Sequence, residues 1–384
     1  MATILDLPEL LRELEQDIFQ AEVLQGRLVV PSALAPKIAR WYGRPGGRGP
    51  DAALARACEQ RVVKTFNAYT FEGAQFNERR AERPVAKPDT RSLAAFIEDA
   101  KEECDFCDPL NMTCADVWGR IEGKDCITAA NAAKYDANHG MVIFGPHHPH
   151  AFDREHIQDY VQTALQWLNR THKGDRNLRY PFIMWNCLGS AGASLVHGHL
   201  HMLLNPYGFY ARHASLVSAT HNYQERCQTG NQTRSRTRSG DYWRDWTAVH
   251  REVGLAVESG DVVIAAAITP VKEKEVVILD FGFRDMAVGE GAMDALTTVL
   301  RAFLDDESLA VLSFNVGIYL RPFEVSNYRL PLIIRCVDRG DPSPLPSGKS
   351  KTSDVGGMEL YGSSVVSFDP FKVIAAIKRH MGNV

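Results

Sequence analysis

The chain has 384 residues, of which 45% are hydrophobic and 23% charged, with a formal net charge of −4 at pH 7. This length suits two domains or one unit of two similar halves, and the charge gives no bulk attraction for nucleic acid or an anionic membrane. Eight scattered cysteines, no signal peptide and no run of about twenty apolar residues predict a cytoplasmic protein with small-molecule partners.

The first 57 residues are predicted to form a helical N-terminal extension. Apolar residues recur at helical spacing in MATILDLPELLRELEQDIF, and the stretch RPGGRGPD at 44–51 marks a boundary. Residues 58–215 then carry the strand-like runs HGMVIFG, YPFIMWNCLG and SLVHGHLHMLL around one helical stretch at 153–172. The alternation predicts an α+β fold.

Residues 216–384 are predicted to repeat this pattern after a polar connecting loop at about 216–240. Two strands at 261–280, a helix at 289–306 and two more strands at 312–338 give strand, strand, helix, strand, strand for the second time. We therefore expect two pseudo-symmetric halves, 58–215 and 216–384, each an antiparallel sheet with packed helices.

Three histidines stand two residues apart in GASLVHGHLHMLLNP, at 192–206. On a strand, His197, His199 and His201 would share one face with roughly 6.8 Å between successive Cα atoms. Such a row fits a metal cluster, or a nucleophilic histidine flanked by hydrogen-bonding partners. The alternative is a set of structural histidines.

The segment before the triplet is suited to holding a phosphate. In NCLGSAGASLVH, glycines at 189 and 192 let backbone N–H groups approach an anion closely, and Ser194 adds a hydroxyl. Alone, these glycines indicate only a turn. Beside a nucleophilic histidine, which suits attack on phosphorus, they predict a phosphate cradle.

These motifs together resemble the histidine-triad superfamily, and within it the galactose-1-phosphate uridylyltransferase branch. The Asn, Gly, Ser, His-x-His series of that branch corresponds to Asn186, Gly192, Ser194, His197 and His199. The other matching segments, from about residue 58 to the end of the chain, are ERRAERP with Arg80 and Arg83, CDFC with Cys104 and Cys107, ITAANAAKY with Asn131, HGMVIFGPHHPH with His148, and VGGMELYG with Glu359.

The resemblance implies two histidine-triad-like halves and a ping-pong nucleotidyltransferase. His199 would carry a covalent nucleotidyl group between a nucleotide or nucleotide sugar and a phosphorylated acceptor, with Ser194 stabilising the phosphoryl charge. The second half would bind substrate without catalytic histidines, and the protein would be a homodimer. The residues expected to bind substrate are Arg80, Arg83, Asn131, Asn186, Gly192 and Glu359.

A structural zinc ion is also expected. Paired cysteines with distant histidines fit tetrahedral Zn²⁺, and the resemblance assigns the four ligands to Cys104, Cys107, His148 and His197. His147 and His150 are the alternatives to His148.

His201 is the main departure from the branch. Uridylyltransferases usually have glutamine there, whereas the hydrolases and phosphoramidases of the superfamily have histidine. A histidine can protonate a leaving group or assist water, so a hydrolase or phosphorylase of dinucleotides, phosphoramidates or nucleotide sugars is the alternative function. A nucleotide-binding protein without turnover is the third.

Overall fold

The computed structural model describes residues 2–43, 49–81, 90–229, 239–283, 286, 288–340 and 362–381. The strands are β1 Phe19–Arg27, β2 Glu59–Asn67, β3 Gly73–Phe76, β4 Cys126–Ala130, β5 His139–Phe144, β6 Tyr180–Cys187, β7 His199–Asn205, β8 Ala256–Ser259, β9 Val262–Ala266, β10 Val276–Asp280, β11 Ser313–Tyr319, β12 Leu332–Gly340 and β13 Ser363–Val366. The helices are α1 Leu7–Glu13, α2 Ala35–Tyr42, α3 Pro50–Cys58, α4 Glu78–Ala81, α5 Thr90–Asp99, α6 Pro109–Met112, α7 Arg154–Gly174, α8 Ala211–Gln228, α9 Tyr242–Glu252, α10 Glu290–Asp305 and α11 Pro370–His380.

The two predicted halves are fused in one nine-stranded sheet with the order β4-β5-β7-β6-β11-β12-β10-β9-β8. Its centre is the antiparallel pair β6 and β11, where Asn186 lies opposite Asn315. Outward from this pair, each half runs through its strands in the same order, so the halves are related by a pseudo-two-fold axis at the junction. The α+β class and the repeated strand, strand, helix, strand, strand unit are confirmed.

Helices α7 and α10 cover one face of this sheet. The apolar side of α7 is buried at Ile157, Ala164 and Leu168, and Asp153 caps the helix by accepting a hydrogen bond from the His156 backbone N–H. Leu200 and Met202 of β7 lie in the same core. Because side chains alternate along a strand, His199 and His201 project from the opposite face.

The N-terminal segment is not purely helical, contrary to the sequence prediction. Residues 19–27 form β1, which pairs with β2 from Phe19 opposite Asn67 to Arg27 opposite Glu59. Strand β3 extends this second sheet, and β13 completes it by pairing in parallel with β3. The first 57 residues are therefore joined by strand pairing to the chain that follows them.

The predicted connecting loop is also wrong over part of its length. Residues 211–228 form α8, which buries Leu216, Ala219 and Tyr223. Within the described ranges, no helix combines the length and apolar character that a bilayer crossing requires.

A buried ion cluster joins the two sheets. Arg335 of β12 donates to Glu275 and, at 2.7 Å, to Glu72 in the β2–β3 turn, which also accepts from Arg212 at 2.6 Å. Burial raises the pKa of Glu72, but the charges of Arg335 and Arg212 outweigh it and hold that pKa below its ordinary value. The ionised state of Glu72 therefore depends on the two arginines that pair with it.

Replacing Arg335 should destabilise the protein strongly. Arg335→Met leaves the buried Glu275 without its cation and Glu72 with Arg212 alone, so we expect the free energy of unfolding to fall by about 3–5 kcal/mol in urea titrations. Lys124→Ala, which removes the exposed pair with Glu155, should leave the unfolding midpoint unchanged. Equal losses from both substitutions would contradict a structural role for the cluster.

Candidate functional site

The candidate catalytic histidines lie on β7, between β5 and β6, on the face of the sheet opposite α7. His199 lies opposite Ile143 of β5, and His201 lies between Met141 of β5 and Met184 of β6. Both histidines are almost fully buried, with 3% and 4% of their surface exposed. The strand pairing thus fixes both rings on the face away from α7.

A single hydrogen bond defines the protonation of His199. Its Nδ1 lies 2.9 Å from the backbone carbonyl oxygen of His197. A carbonyl oxygen can only accept, so Nδ1 carries the hydrogen and Nε2 keeps its lone pair. Burial lowers the pKa of His199, with the His197 carbonyl opposing the shift, which keeps the ring neutral at neutral pH. Nε2 is therefore available as a nucleophile.

His139, which the sequence analysis did not single out, is part of the same site. The backbone N–H of Tyr135 donates to Nδ1 of His139 at 3.0 Å, so Nε2 of His139 carries the hydrogen. That Nε2 lies 3.0 Å from Nδ1 of His201 and donates to it. His201 is left with its hydrogen on Nε2, as a donor. His139 starts a strand, but only the strand pairing reveals that it reaches His201.

The aromatic ring of Tyr135 lies against this pair. Its centroid is 4.4 Å from that of His139 and 5.5 Å from that of His201, while 61% of Tyr135 remains exposed. Asn131 lies beside them, with Nδ2 3.3 Å from Nε2 of His139. The structure thus brings the predicted Asn131 next to the histidines.

The predicted phosphate cradle is a tight loop between β6 and β7. Leu188 and Gly192 both have positive φ, 69° and 93°, on either side of a 3-10 turn at Gly189–Ala191. Leu188 is buried, and a positive φ at such a residue costs on the order of 1–3 kcal/mol, so the surrounding fold must hold it. Gly192 and Ser194 are exposed on this loop.

Side chains of the second half donate hydrogen bonds to backbone carbonyls in and next to the cradle. Ser313 Oγ donates to the Cys187 carbonyl at 2.7 Å, and Asn315 Nδ2 donates to the Ala191 carbonyl at 2.8 Å. Arg339 Nε donates to the Ser190 carbonyl at 3.3 Å. These contacts fix where the carbonyls of the cradle point.

Four side chains near the start of β7 could hold a metal ion: Cys104, Cys107, His147 and His197. Their ligand atoms all lie within 4.8 Å of one another. Nδ1 of His197 is 3.4 Å from Sγ of Cys104, and Nδ1 of His147 is 3.3 Å from Sγ of Cys107. Tetrahedral zinc with thiolate and imidazole ligands places S and N roughly 3.5 Å apart, so the four residues fit such an ion.

The structure places His147, and not the predicted His148, with the two cysteines and His197. Nδ1 of His148 instead accepts a hydrogen bond from the His150 backbone at 3.2 Å, and Nε2 of His150 donates to the Leu312 carbonyl. Neighbouring residues in the turn after β5 point in different directions, and the sequence does not show which one faces the cysteines.

Backbone carbonyls orient both imidazole ligands. Nε2 of His147 donates to the Ile97 carbonyl at 2.9 Å, and Nε2 of His197 donates to the Phe144 carbonyl at 2.7 Å. Each ring therefore presents the Nδ1 lone pair to the metal position. Phe106, between the two cysteines, packs against the rings of both His197 and His199. Phe106 thus links the cysteine pair to the strand that carries the nucleophile candidate.

Arg80 is not brought to the histidines. Arg80 lies in the short helix α4, where its backbone N–H donates to Asn77, and no hydrogen bond or ion pair in the described ranges links it to β7. Arg83 and Glu359 lie outside the described residues.

Several solved structures have the same fold. An ADP-glucose phosphorylase from Arabidopsis thaliana with bound ADP-glucose has a TM-score of 0.58 and 17% identity, covering 82% of this chain and 98% of that one. A GalT-like protein from Arabidopsis thaliana has a TM-score of 0.54 and 18% identity, covering 72% of this chain and 92% of that one. A uridylyltransferase has a TM-score of 0.53 and 14% identity, covering 71% and 89%.

At these identities the likeness establishes the fold. The resemblance to the galactose-1-phosphate uridylyltransferase branch is confirmed at that level, including its two-halved architecture. Neither a protein-family model nor a curated protein sequence matches the chain.

Metal content should distinguish His147 from His148. We expect one metal ion per chain in the unmodified protein, its loss in Cys104→Ser and His147→Ala, and its retention in the matched control His148→Ala, measured by elemental analysis. Loss in His148→Ala with retention in His147→Ala would contradict the ligand set described above.

Proposed function

We propose that the protein is a nucleotidyltransferase of the histidine-triad superfamily that acts through a nucleotidyl group on His199. The hydrogen bond from Nδ1 of His199 to the His197 carbonyl carries this proposal, because it leaves a neutral imidazole with its lone pair on Nε2. The fold shared with a uridylyltransferase and an ADP-glucose phosphorylase supports a nucleotide or nucleotide sugar as the donor.

The reaction has two displacements at one phosphorus. In the first, the Nε2 lone pair forms a P–N bond to the α-phosphorus, and the P–O bond to the phosphorylated leaving group breaks with its electron pair on oxygen. In the second, a phosphate oxygen of the acceptor forms a new P–O bond and the P–N electron pair returns to Nε2. The His197 carbonyl stabilises the positive ring between the two steps by accepting the Nδ1 hydrogen.

The cradle of residues 188–194 is proposed to bind the phosphoryl oxygens. Gly192, the Ser194 hydroxyl and nearby backbone N–H groups would stabilise the charge that develops in the transition state, where one such donor contributes about 10²–10³ in rate. Asn186 would donate from the neighbouring strand, and Asn131 would contact the nucleoside. Arg80, Arg83 and Glu359 keep their predicted roles with phosphates and sugar as proposals from the resemblance.

The state of His201 is compatible with transfer. Burial, and to a lesser extent the neighbouring His199 and His139, lowers the pKa of His201 to about 3. A ring that stays neutral near pH 7 is not an imidazolium acid, and because Nδ1 accepts from His139, it offers only an Nε2–H donor. A glutamine side chain likewise offers an N–H donor without being an acid. The residue that suggested a hydrolase can therefore serve in a transferase, while phosphorylase or hydrolase activity on nucleotides is the second candidate.

A structural Zn²⁺ is proposed at Cys104, Cys107, His147 and His197. All four tetrahedral positions would be filled by protein, so the ion would hold the cysteine loop against the start of β7 and would not contact substrate. The homodimer and the cytoplasmic location stay predictions.

Covalent labelling tests the proposed function. The protein is incubated with α-labelled ADP-glucose or UDP-glucose and quenched in alkali, and we expect acid-labile label on the chain in the unmodified protein but not in His199→Gly. The matched control His148→Gly should label normally. Discharge by a sugar phosphate or inorganic phosphate supports transfer, discharge by water alone supports a hydrolase, and absence of label with every nucleotide would contradict both.

Substitution of His201 separates a hydrogen-bond donor from an acid. His201→Gln keeps an N–H donor, so we expect its transfer rate to stay within about tenfold of the unmodified rate, whereas His201→Ala should lose about 10²–10³. Equal loss in both variants would show that the imidazole itself is needed.

A further inference from the structure

A side chain of the second half contacts a first-half residue on the strand beside the nucleophile candidate. Asn315 of β11 is paired with Asn186 of β6 across the pseudo-two-fold junction. Trp185 is paired with Leu200, so Asn186 and His199 occupy the next positions on β6 and β7. The two asparagines and His199 therefore form one row across the sheet, on the face opposite α7.

One backbone carbonyl determines the orientation of both amides. Asn315 Nδ2 lies 2.8 Å from the Ala191 carbonyl oxygen, which can only accept, so this end of the Asn315 side chain must be its NH₂ group. The same Nδ2 lies 2.7 Å from the Asn186 side chain, whose facing atom must then be the acceptor Oδ1. Both N–H bonds of Asn315 are thereby used.

The NH₂ group of Asn186 is consequently directed away from Asn315. In the described ranges no protein group accepts a hydrogen bond from it, and although only 8% of Asn186 is exposed, this nitrogen is not among the fully buried atoms that lack a partner. The donor is therefore accessible to a ligand, and a ligand oxygen beside His199 could accept from it. The group attacked by His199 carries such an oxygen on phosphorus.

We propose that Asn315 is a positioning residue, which holds Asn186 so that its NH₂ group donates to a non-bridging oxygen of the phosphoryl group attacked by His199. The proposal rests on the proposed function. The second half then contributes to the transfer step through the orientation of one amide, and it fixes the Ala191 carbonyl of the cradle with the same NH₂ group.

Asn315→Asp tests the orientation because it keeps the shape and removes the donor. A carboxylate facing the Ala191 carbonyl and Asn186 Oδ1 would turn the Asn186 amide over and direct its oxygen at the phosphoryl oxygen. We expect the rate of nucleotidyl-His199 formation, measured with α-labelled nucleotide by rapid quench, to fall about 100-fold or more, with a smaller change in the apparent KM. Asn315→Ala removes the contact that orients the Asn186 amide without turning the amide over. The rate of nucleotidyl-His199 formation in this variant should fall about tenfold.

The pH profile separates this role from general damage to the site. The carboxyl group introduced by Asn315→Asp can donate one hydrogen bond when it is protonated, so the rate of this variant relative to the unmodified protein should rise as the pH falls through the pKa of that group. The relative rate of Asn315→Ala should not change over the same range. A flat profile for both variants would overturn the proposal.

Two further variants serve as controls. Thr65→Val removes a buried hydrogen bond of 2.8 Å to the Ile268 carbonyl, away from the cradle, and should lower stability while the folded protein keeps its labelling rate. In an Asn186→Ala background, Asn315→Asp and Asn315→Ala should cause similar additional losses, because both remove the hydrogen bond to the Ala191 carbonyl and the difference between them passes through Asn186. A difference between the two variants as large in that background as in the unmodified protein would overturn the proposal.

A structural readout does not depend on activity. Neutron diffraction from crystals exchanged into D₂O should show the ND₂ group of Asn186 directed at His199 and the ND₂ group of Asn315 at the Ala191 carbonyl. An Asn186 oxygen facing His199 would overturn the proposal even if labelling succeeds. Absence of label on the unmodified protein would overturn the proposed function, and with it the role of Asn315 in transfer, while the diffraction result would still decide the orientation.

Discussion

The antiparallel pairing of β6 with β11 is the constraint on which the rest of the structure depends. It joins two half-sheets into one and places the cradle that follows β6 directly against the second half, where Asn315 holds it. A half without this pairing would expose two strand edges and leave the strained turn at Leu188 without the contacts that hold it. One strand pair thus completes the sheet and shapes the candidate site.

Because side chains alternate along β7, one face of the strand packs in the core and the other carries the candidate catalytic residues. Leu200 and Met202 secure the strand in the core with α7, while His199 and His201 face the site between neighbouring strands. Hydrogen bonds then determine which ring nitrogen of each histidine carries the hydrogen. Each chain of hydrogen bonds ends at a backbone group that can only accept or only donate. For His199 that group is the adjacent carbonyl; for His201 it is the Tyr135 amide acting through His139.

The sequence predicted what depends on local pattern and did not predict what depends on long-range pairing. The repeated elements, the strand that carries His199 and His201 and the paired cysteines follow from periodicity and spacing, and the structure agrees. His197 was expected on the same strand but lies before its first residue, His199. The strand at 19–27 was missed, since it exists only by pairing with β2. His147 replaced His148 because side-chain direction in a turn is set by tertiary contacts. His139 and Asn315 could not be found, because strand register brings them to the site from distant parts of the chain.

Nε2 of His199 is the proposed nucleophile because Nδ1 donates to the His197 carbonyl. The most direct measurement is the position of the P–N bond in the trapped nucleotidyl-protein. Mass spectrometry of the labelled peptide and ³¹P–¹⁵N coupling in ring-¹⁵N-labelled protein identify the residue and the nitrogen. We expect phosphorus on Nε2 of His199. Phosphorus on Nδ1, or on His201, would contradict it.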